Sequence, residues 1–313
     1  MKKTILIATC WLFSSLVSAQ TDINSGDVKG KWTLAGSPYR VHGNITIKDD
    51  SVLTIEPGVV VRCDSGVMIT VNGTLRAIGT ASQRIKFSAA DTTMDAIKCI
   101  KGWHGITFSG GASSNNNDSS FLYWCTVEFA KNIGIYVGNL NRIEISHCTI
   151  RKCYSINGGG MNIQNSSFRL SHSVFHDNYS EVGGAILLWY ANCIFEGNIF
   201  SNNRAVRVGG AVYLSNNSNS VFVNNIFCNN YCFPYVAENG GAALYINQSN
   251  PILYNNTIVN NQSGSNAGGI FFTGNSDAKI VNCIIYGNTS SLGGNQVYLG
   301  DYYSDPDFSY SDI

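Results

Sequence analysis

The carboxylates that acid–base catalysis or calcium binding would require are sparse in this 313-residue sequence. Hydrolysis of glycosides uses two facing carboxylates, and a calcium site gathers several oxygen ligands. Glu144 and Glu196 do not fall on neighbouring repeats of the chain, and Asp49-Asp50 has no acidic partner nearby. The sequence therefore predicts no catalytic residue, no metal site and no cofactor. Other carboxylates of the repeat region include Asp177, Glu181, Glu238 and Asp277.

The five histidines are also scattered, at residues 42, 104, 147, 172 and 176. His147 and His172 each precede the small residue of a repeat, so we expect their rings to stack on successive turns. Two stacked imidazoles could bind a metal, but zinc sites need at least a third protein ligand, which is missing. We interpret them as a surface pair. No Ser-His-Asp or Cys-His arrangement can be assigned.

Two pairs of cysteines are spaced for possible disulfides. Cys228 and Cys232 bracket the start of the longest loop, "NNYCFPYVAENGG" at residues 229–241, which a bond between them would restrain. Cys125 and Cys148 occupy equivalent positions of neighbouring repeats, within bridging distance in principle. Buried reduced thiols are the alternative for that second pair. The sequence predicts Cys228–Cys232 as the candidate disulfide.

A repeated pattern extends from residue 122 to residue 294. A small residue is followed two positions later by a bulky apolar one, and an apolar residue stands three positions before it. Gly-Gly closes six of these repeats. The small residues are 23, 25, 25, 27, 31 and 27 positions apart, a range typical of solenoids. The seven pairs are Cys125/Val127, Cys148/Ile150, Ser173/Phe175, Asn198/Phe200, Asn225/Phe227, Asn256/Ile258 and Cys283/Ile285.

The segments between the turns alternate with period two and are rich in Ile, Val, Phe and Tyr, which indicates strands. No helical periodicity is present. We expect about three short strands per turn, each pairing with its equivalent one turn along, about 4.8 Å away. Equivalent side chains then stack into ladders along the solenoid.

An asparagine stands five positions after the small residue in the last five repeats. An inward asparagine at a bend can hydrogen-bond the local backbone and the next asparagine, which satisfies polar groups that would otherwise be buried unpaired. The Gly-Gly pairs follow loops of variable length, where glycine tolerates the backbone angles of re-entry. The predicted ladder consists of Asn178, Asn203, Asn230, Asn261 and Asn288.

The first nineteen residues have the pattern of a secretory signal peptide. Two lysines precede an apolar run that ends at Val17-Ser18-Ala19, and the run is too short to span a membrane. We expect export to the extracellular space or the outer-membrane surface. We assign residues 20–40 to an N-terminal cap, 41–300 to the solenoid, and 301–313 to an irregular segment that begins a further turn. That ending suggests a shortened version of a longer surface protein.

The composition excludes two classes of partner. Lys and Arg balance Asp and Glu at 20 each, and only 13% of residues are charged, so no electrostatic nucleic-acid partner is expected. No apolar run after the signal peptide is long enough to predict a transmembrane helix.

Apolar side chains occur on both faces of the strands that follow the glycine pairs. Only one face can point into the core, so the other is predicted to form an exposed aromatic stripe. Such a stripe suits stacking on sugar rings or docking another protein. A loop, further turns or a partner domain covering it is the alternative. The candidate stripe consists of Trp189, Tyr190, Tyr213, Tyr245 and Phe272.

These repeats resemble the right-handed parallel β-helix (pectate-lyase-like) family. The "FSNN…GGA" and "FCNN…GGA" turns resemble those of the chlamydial polymorphic outer membrane proteins, and residues 32–80 resemble the opening turns of secreted bacterial β-helices. The resemblance implies an all-β fold: a single-stranded, right-handed parallel β-helix (solenoid) with three short strands per turn and roughly eleven turns. This fold carries many activities, so the resemblance specifies shape rather than function.

Polygalacturonases and pectate lyases share that fold and provide the alternative function. Arg84-Ile85-Lys86 matches one polygalacturonase motif but lies upstream of every other candidate, and residues 103–105 read Trp-His-Gly rather than Gly-His-Gly. Calcium is expected only if the protein is a lyase. We predict a non-catalytic secreted or cell-surface scaffold, adhesin-like, that binds carbohydrate or another surface. The alternative is a polysaccharide lyase or glycoside hydrolase acting on an acidic polysaccharide.

Overall fold

The computed structural model describes residues 20–93, 101–109, 119–233 and 240–313, so the predicted signal peptide, residues 1–19, lies outside the described residues. Within these ranges the regular secondary structure consists of β-strands joined by turns and loops, and the one helical segment is a 3-10 turn at Leu34–Gly36. None of the described residues forms a helix that is long and apolar enough to cross a membrane.

Three parallel sheets of eleven strands each, here called A, B and C, form the faces of the solenoid. Sheet A contains β1 (Thr21–Ile23), β4 (Tyr39–Val41), β7 (Val60–Cys63), β10 (Ile85–Ala89), β13 (Cys125–Glu128), β16 (Thr149–Arg151), β20 (Val174–His176), β24 (Ile199–Ser201), β28 (Ile226–Cys228), β32 (Thr257–Val259) and β36 (Ile284–Tyr286).

Sheet B follows sheet A in every turn and sheet C follows sheet B. Sheet B contains β2 (Gly26–Asp27), β5 (Ile45–Ile47), β8 (Met68–Val71), β11 (Gly105–Ser109), β14 (Ile135–Gly138), β18 (Met161–Gln164), β22 (Ile186–Trp189), β26 (Val212–Ser215), β30 (Leu244–Asn247), β34 (Ile270–Thr273) and β38 (Val297–Leu299). Sheet C contains β3 (Gly30–Trp32), β6 (Val52–Ile55), β9 (Thr74–Ile78), β12 (Ser120–Tyr123), β15 (Ile143–Ser146), β19 (Arg169–Ser171), β23 (Ile194–Glu196), β27 (Val221–Val223), β31 (Ile252–Tyr254), β35 (Lys279–Val281) and β39 (Asp307–Ser309).

A fourth, six-stranded sheet D lies between sheets A and B in the later turns, and the sequence pattern did not reveal it. Its strands are β17 (Tyr154–Asn157), β21 (Tyr179–Val182), β25 (Arg204–Val208), β29 (Tyr231–Cys232), β33 (Gln262–Ser263) and β37 (Thr289–Ser290). Since the chain passes each main face eleven times, it completes about ten turns. The predicted all-β solenoid with three parallel strands per turn is confirmed.

The core consists of stacked apolar columns, one from each main sheet. The seven bulky residues predicted to form one column, from Val127 to Ile285, are fully buried on sheet A. Phe200 stacks between Phe175 and Phe227, with ring centroids 5.2 Å and 4.8 Å apart. Burying a phenylalanine or leucine side chain contributes about 1.5–3 kcal/mol, so these columns supply the main driving force for folding.

Sharp corners separate sheet C from sheet A and sheet A from sheet D. In the later turns each corner has one residue in the left-handed region, such as Asn202 with φ 55°, followed by an inward polar residue, such as Asn203. Asparagine tolerates this backbone conformation better than most residues with a Cβ. The paired asparagines of the sequence are therefore corner residues with opposite orientations.

Both ends of the chain take part in the solenoid. Residues 20–40, assigned from sequence to a cap, contain β1, β2 and β3, the first strand of each main sheet, and the Trp32 and Tyr39 rings stack there at 4.7 Å. At the other end, β39 pairs with β35, and Phe308 packs edge-on against Phe272 at 6.4 Å. The segment 301–313 thus adds one strand to sheet C.

Candidate functional site

The five predicted ladder asparagines lie one above another at the corner between sheets A and D. Each Nδ2 donates to the Oδ1 of the next asparagine, from Asn178 through Asn203, Asn230 and Asn261 to Asn288, at 2.9–3.0 Å. Each Nδ2 also donates to the backbone carbonyl of a core residue one turn earlier in the chain, at 2.8–2.9 Å. The ladder is fully hydrogen-bonded and buried, so its role is structural.

A second amide ladder, which the sequence reasoning missed, occupies the corner between sheets C and A. Asn198 donates through Nδ2 to Asn225 at 3.1 Å, and Asn225 donates to Asn256 at 3.0 Å. All three are buried. They are the small residues of three successive repeats. That all three are asparagine is the feature of the sequence that could have predicted a second ladder.

Four of the five residues of the predicted aromatic stripe lie on or beside the outer face of sheet B, and they differ in exposure. Trp189 and Tyr190 are exposed, at 41% and 49%, and meet edge-on at 6.1 Å. Tyr213 and Tyr245 pair in register on successive strands, and both are half-buried. A Cβ added at Gly209 would lie 3.0 Å from the Cβ of Tyr213, so the glycine pairs themselves lie against this face.

Phe272 does not belong to the stripe, and its assignment was wrong. Phe272 is fully buried and pairs in register with Ile246 and Leu299, whereas its neighbour Phe271 points outward between Tyr245 and Tyr298. Side chains alternate strictly across a strand, so a shift of one residue exchanges the two faces. Where both neighbours are phenylalanine, the sequence pattern cannot choose between them.

The predicted disulfide between Cys228 and Cys232 is not formed, and all eight described cysteines are free thiols. Cys228 points outward at the end of β28, while Cys232 is buried in β29 beyond the corner and donates to the carbonyl oxygen of Arg207. Burial raises the pKa of Cys232 to about 12, which makes it an unreactive thiol. Cys125 and Cys148 are likewise buried and form no disulfide bond.

His147 and His172 stack, with ring centroids 5.0 Å apart, and Trp124 extends the stack at 4.3 Å. Arg84 lies over the Trp124 ring and donates to the carbonyl oxygens of Cys125 and His147 at 3.0 Å and 2.7 Å. Burial, His172 and Arg84 together lower the pKa of His147, so its ring is neutral at pH 7. The arginine of the Arg-Ile-Lys motif therefore ties successive turns together.

No group of three His, Cys, Asp or Glu side chains that could hold a metal ion occurs within the described ranges. The only deeply buried carboxylate described there is that of Glu128, on the outer face of sheet A. Its Oε1 accepts from Lys86 Nζ at 2.6 Å and from the Ser88 hydroxyl at 2.9 Å, and its Oε2 accepts from Arg151 at 2.6 Å and 2.8 Å. Three donor residues thus hold one carboxylate.

Stability should depend on pH through Glu128. Burial raises the pKa of this carboxyl, but the hydrogen bonds from Lys86, Arg151 and Ser88 outweigh it and hold the pKa below its ordinary value. A depressed folded-state pKa contributes stability above the unfolded-state pKa, and this contribution is lost as pH falls through the folded value. At pH 7 we expect Glu128→Gln to lower the free energy of unfolding by about 2 kcal/mol.

The measurement is urea unfolding of wild type and Glu128→Gln at pH 7 and at pH 3, with Glu181→Gln as the matched control. The difference between wild type and Glu128→Gln should shrink at pH 3, because the contribution of a carboxyl with a depressed folded-state pKa begins to be lost once the pH falls below its unfolded-state pKa. A difference that stays constant between the two pH values would contradict this role for the charge of Glu128.

A surface groove of about 380 Å³ lies at the corner between sheets A and D. We call it the amide groove. Tyr231 and Phe233 form one wall, with their rings edge-on at 4.8 Å. None of the described residues that line it is a carboxylate. Its lining residues are Asn202, Arg204, Asn229, Asn230, Tyr231, Phe233, Asn260 and Gln262.

The amide groove presents a row of polar groups that the protein itself does not use. Asn202, Asn229 and Asn260 occupy equivalent left-handed corner positions, with φ of 55–56°, on three successive turns. Their side-chain amides, and that of Gln262, accept and donate no hydrogen bond to any other described residue. An amide offers both donors and an acceptor. Successive turns repeat these groups about every 4.8 Å along the axis.

The sequence contained a signal for this groove. The Asn-Asn pairs at 202–203, 229–230 and 260–261 were interpreted through their second members, which form the buried ladder. Because consecutive residues at such a corner point to opposite sides, the first members had to face solvent. Tyr231 and Gln262 follow directly and continue the outward set on sheet D.

Comparison with known families bears on the central part of the chain. Residues 110–261 match the family model described as a right handed beta helix region. The described residues of this range, 119–233 and 240–261, lie in the parallel solenoid. The match includes the ladder from Asn178 to Asn261 and most of the amide groove. No curated protein and no solved structure matches the chain. The match therefore supports the β-helix fold, and a function has to be argued from the candidate site.

Proposed function

We propose that this β-helix is a non-catalytic, secreted or cell-surface protein that binds carbohydrate in the amide groove. The observation that carries the proposal is the row of unused amides on successive turns beside two aromatic rings. Sugar hydroxyls are donors and acceptors at once, and amides match both functions. Aromatic side chains supply apolar contact for the sugar ring while leaving their polar edges wet.

The lining of the groove favours binding over catalysis. Glycoside hydrolysis uses a pair of carboxylates across the scissile bond, and the described residues of the lining include none. Arg204 is the one charged group among those described lining residues. The volume of about 380 Å³ lies at the lower end of the range of ligand pockets, so one or two sugar units fit within it.

Two features of the sequence support a location outside the cell. Residues 1–19 have the pattern of a signal peptide, and the "FSNN…GGA" turns resemble those of chlamydial polymorphic outer membrane proteins. A rigid solenoid also presents its corner residues at fixed spacing, which suits recognition of a polymer with a regular repeat. We propose an adhesin-like role on this basis.

Tyr231→Ala tests the proposal. We expect wild type to bind at least one neutral polysaccharide in a glycan array, and Tyr231→Ala to bind it about tenfold more weakly, a loss of about 1.4 kcal/mol. Affinity electrophoresis in gels that contain the same polysaccharide gives the dissociation constants. Circular dichroism spectra of the two proteins should coincide, because Tyr231 is half-buried and outside the core.

Tyr286→Ala is the matched control, since Tyr286 is 70% exposed on sheet A and lies outside the groove. It should bind like wild type. If wild type retains no neutral glycan, or if Tyr231→Ala and wild type bind equally, carbohydrate binding in the amide groove is rejected.

A further inference from the structure

A second concavity, of about 380 Å³, lies on the outer face of sheet A toward the N-terminal end. We call it the basic cleft. It is about four strands, or roughly 20 Å, from the strands that border the amide groove. Its lining residues are Val60, Arg62, Lys86, Ser88, Ala89, Ala90 and Thr92.

Strand pairing brings the two cations of the cleft together. Arg62 on β7 lies directly across from Ser88 on β10, and Lys86 lies across from Val60. All four side chains point outward, because the intervening Val61 and Phe87 are in the core. Arg62 and Lys86 are therefore diagonal neighbours on one surface, within reach of a single small group.

Glu128 fixes the position of Lys86 but accepts a hydrogen bond from only one of its three ammonium N–H groups. The buried carboxylate takes one hydrogen bond from the Lys86 ammonium, at 2.6 Å, and Lys86 remains 40% exposed. A lysine ammonium has three donors, so two are left for a ligand. Arg151 holds the same carboxylate from the following strand.

The positive charge of the cleft exceeds the negative charge around it. Arg62 is exposed and makes no ion pair with any described residue. Among the described residues, two further carboxylates of these turns have cations of their own: Asp64 pairs with Arg40, and Asp91 pairs with Lys101. Arg62, Lys86 and Arg151 against Glu128 leave a formal surplus of two positive charges at this surface.

We propose that the basic cleft binds an oxyanion, a sulfate or carboxylate group, between Arg62 and Lys86. The planar fork of a guanidinium matches two oxygens of such a group, and the ammonium adds a third, point-like contact. The group is either a free anion or the substituent of a charged polysaccharide. The inference stands independently of the amide groove.

Dextran sulfate and unsulfated dextran share one backbone and differ in charge, so they form a matched pair of probes, with sodium sulfate as the free anion. By isothermal titration calorimetry at 50 mM NaCl, we expect dextran sulfate to bind wild type and Arg62→Gln to bind it at least tenfold more weakly. Raising NaCl to 300 mM should weaken wild-type binding, because exposed charges are screened. Lys279→Gln, an exposed cation on sheet C, should bind like wild type.

The free-anion arm identifies the source of the group. Saturable binding of sodium sulfate that Arg62→Gln abolishes supports a site for the anion itself, whereas binding of dextran sulfate alone supports a site for a charged polymer. If wild type binds dextran sulfate no more tightly than dextran, or if Arg62→Gln and Lys279→Gln weaken binding equally, the cleft is not a specific oxyanion site. Binding of neutral glycans by Arg62→Gln should be unchanged, which separates this test from that of the amide groove.

Discussion

Asn230→Ala is expected to lower the free energy of unfolding by about 3–5 kcal/mol. Asn230 is 1% exposed and stands in the middle of the ladder. Its Nδ2 donates to the Phe200 carbonyl and to Asn261, and its Oδ1 accepts from the backbone and side chain of Asn203. Alanine would remove all four of these hydrogen bonds, although Asn261 Oδ1 would still accept from the backbone N–H of residue 230, and Asn203 Nδ2 would still donate to the Phe175 carbonyl. Each buried group left without any partner costs about 1–3 kcal/mol before relaxation.

Urea unfolding followed by circular dichroism measures this effect. Gln262→Ala removes a side-chain amide from the residue after Asn261, but that amide is exposed and unused, so we expect a change below about 0.5 kcal/mol. If both variants lose the same stability, or if Asn230→Ala loses less than about 1 kcal/mol, the buried hydrogen bonds of the ladder do not hold the turns together as described.

Gly184→Ala is expected to cost about 3 kcal/mol, through backbone crowding rather than through lost contacts. A Cβ at Gly184 would lie 2.7 Å from the carbonyl oxygen of Arg204 and closer still to that of Gly210. Both oxygens belong to the backbone of the next turn, so neither can move aside without disturbing the strand pairing there. The second glycine of this Gly-Gly pair is therefore required by close approach of two turns.

Gly293→Ala is the control within another Gly-Gly pair, because an added Cβ there would meet its nearest neighbours at 3.8 Å, an ordinary contact. We expect a change within about 0.5 kcal/mol in the same unfolding experiment. After the longest loop, Ala242 occupies the position equivalent to Gly210. Glycine is therefore required at this position in some turns and not in others. Equal stability of Gly184→Ala and Gly293→Ala would contradict the crowding argument.

The two candidate sites differ in how far the sequence could have located them. The amide groove is built from residues adjacent to the predicted ladder, so alternation alone places Asn202, Asn229 and Asn260 outside. The basic cleft is different. Lys86 and Glu128 are 42 positions apart, and Arg62 is a further 24 positions upstream of Lys86. In the N-terminal turns the repeat is too irregular to align these positions, so their register was visible only after strand pairing.

The solenoid, its parallel strands, the apolar columns and the asparagine ladder could be predicted from the amino-acid sequence alone, because each corresponds to a spacing that recurs between residues 122 and 294. The folded structure was needed to show which of Phe271 and Phe272 faces the core, that Cys228 and Cys232 point apart, and which outward side chains meet. The reason is that a period-two pattern shows that side chains alternate between the two faces of a strand. When both sets are apolar, the pattern does not show which set points into the core. The loops between strands also vary in length, so residue numbers alone do not show which side chains are neighbours. Strand pairing between turns fixes the register and therefore these contacts.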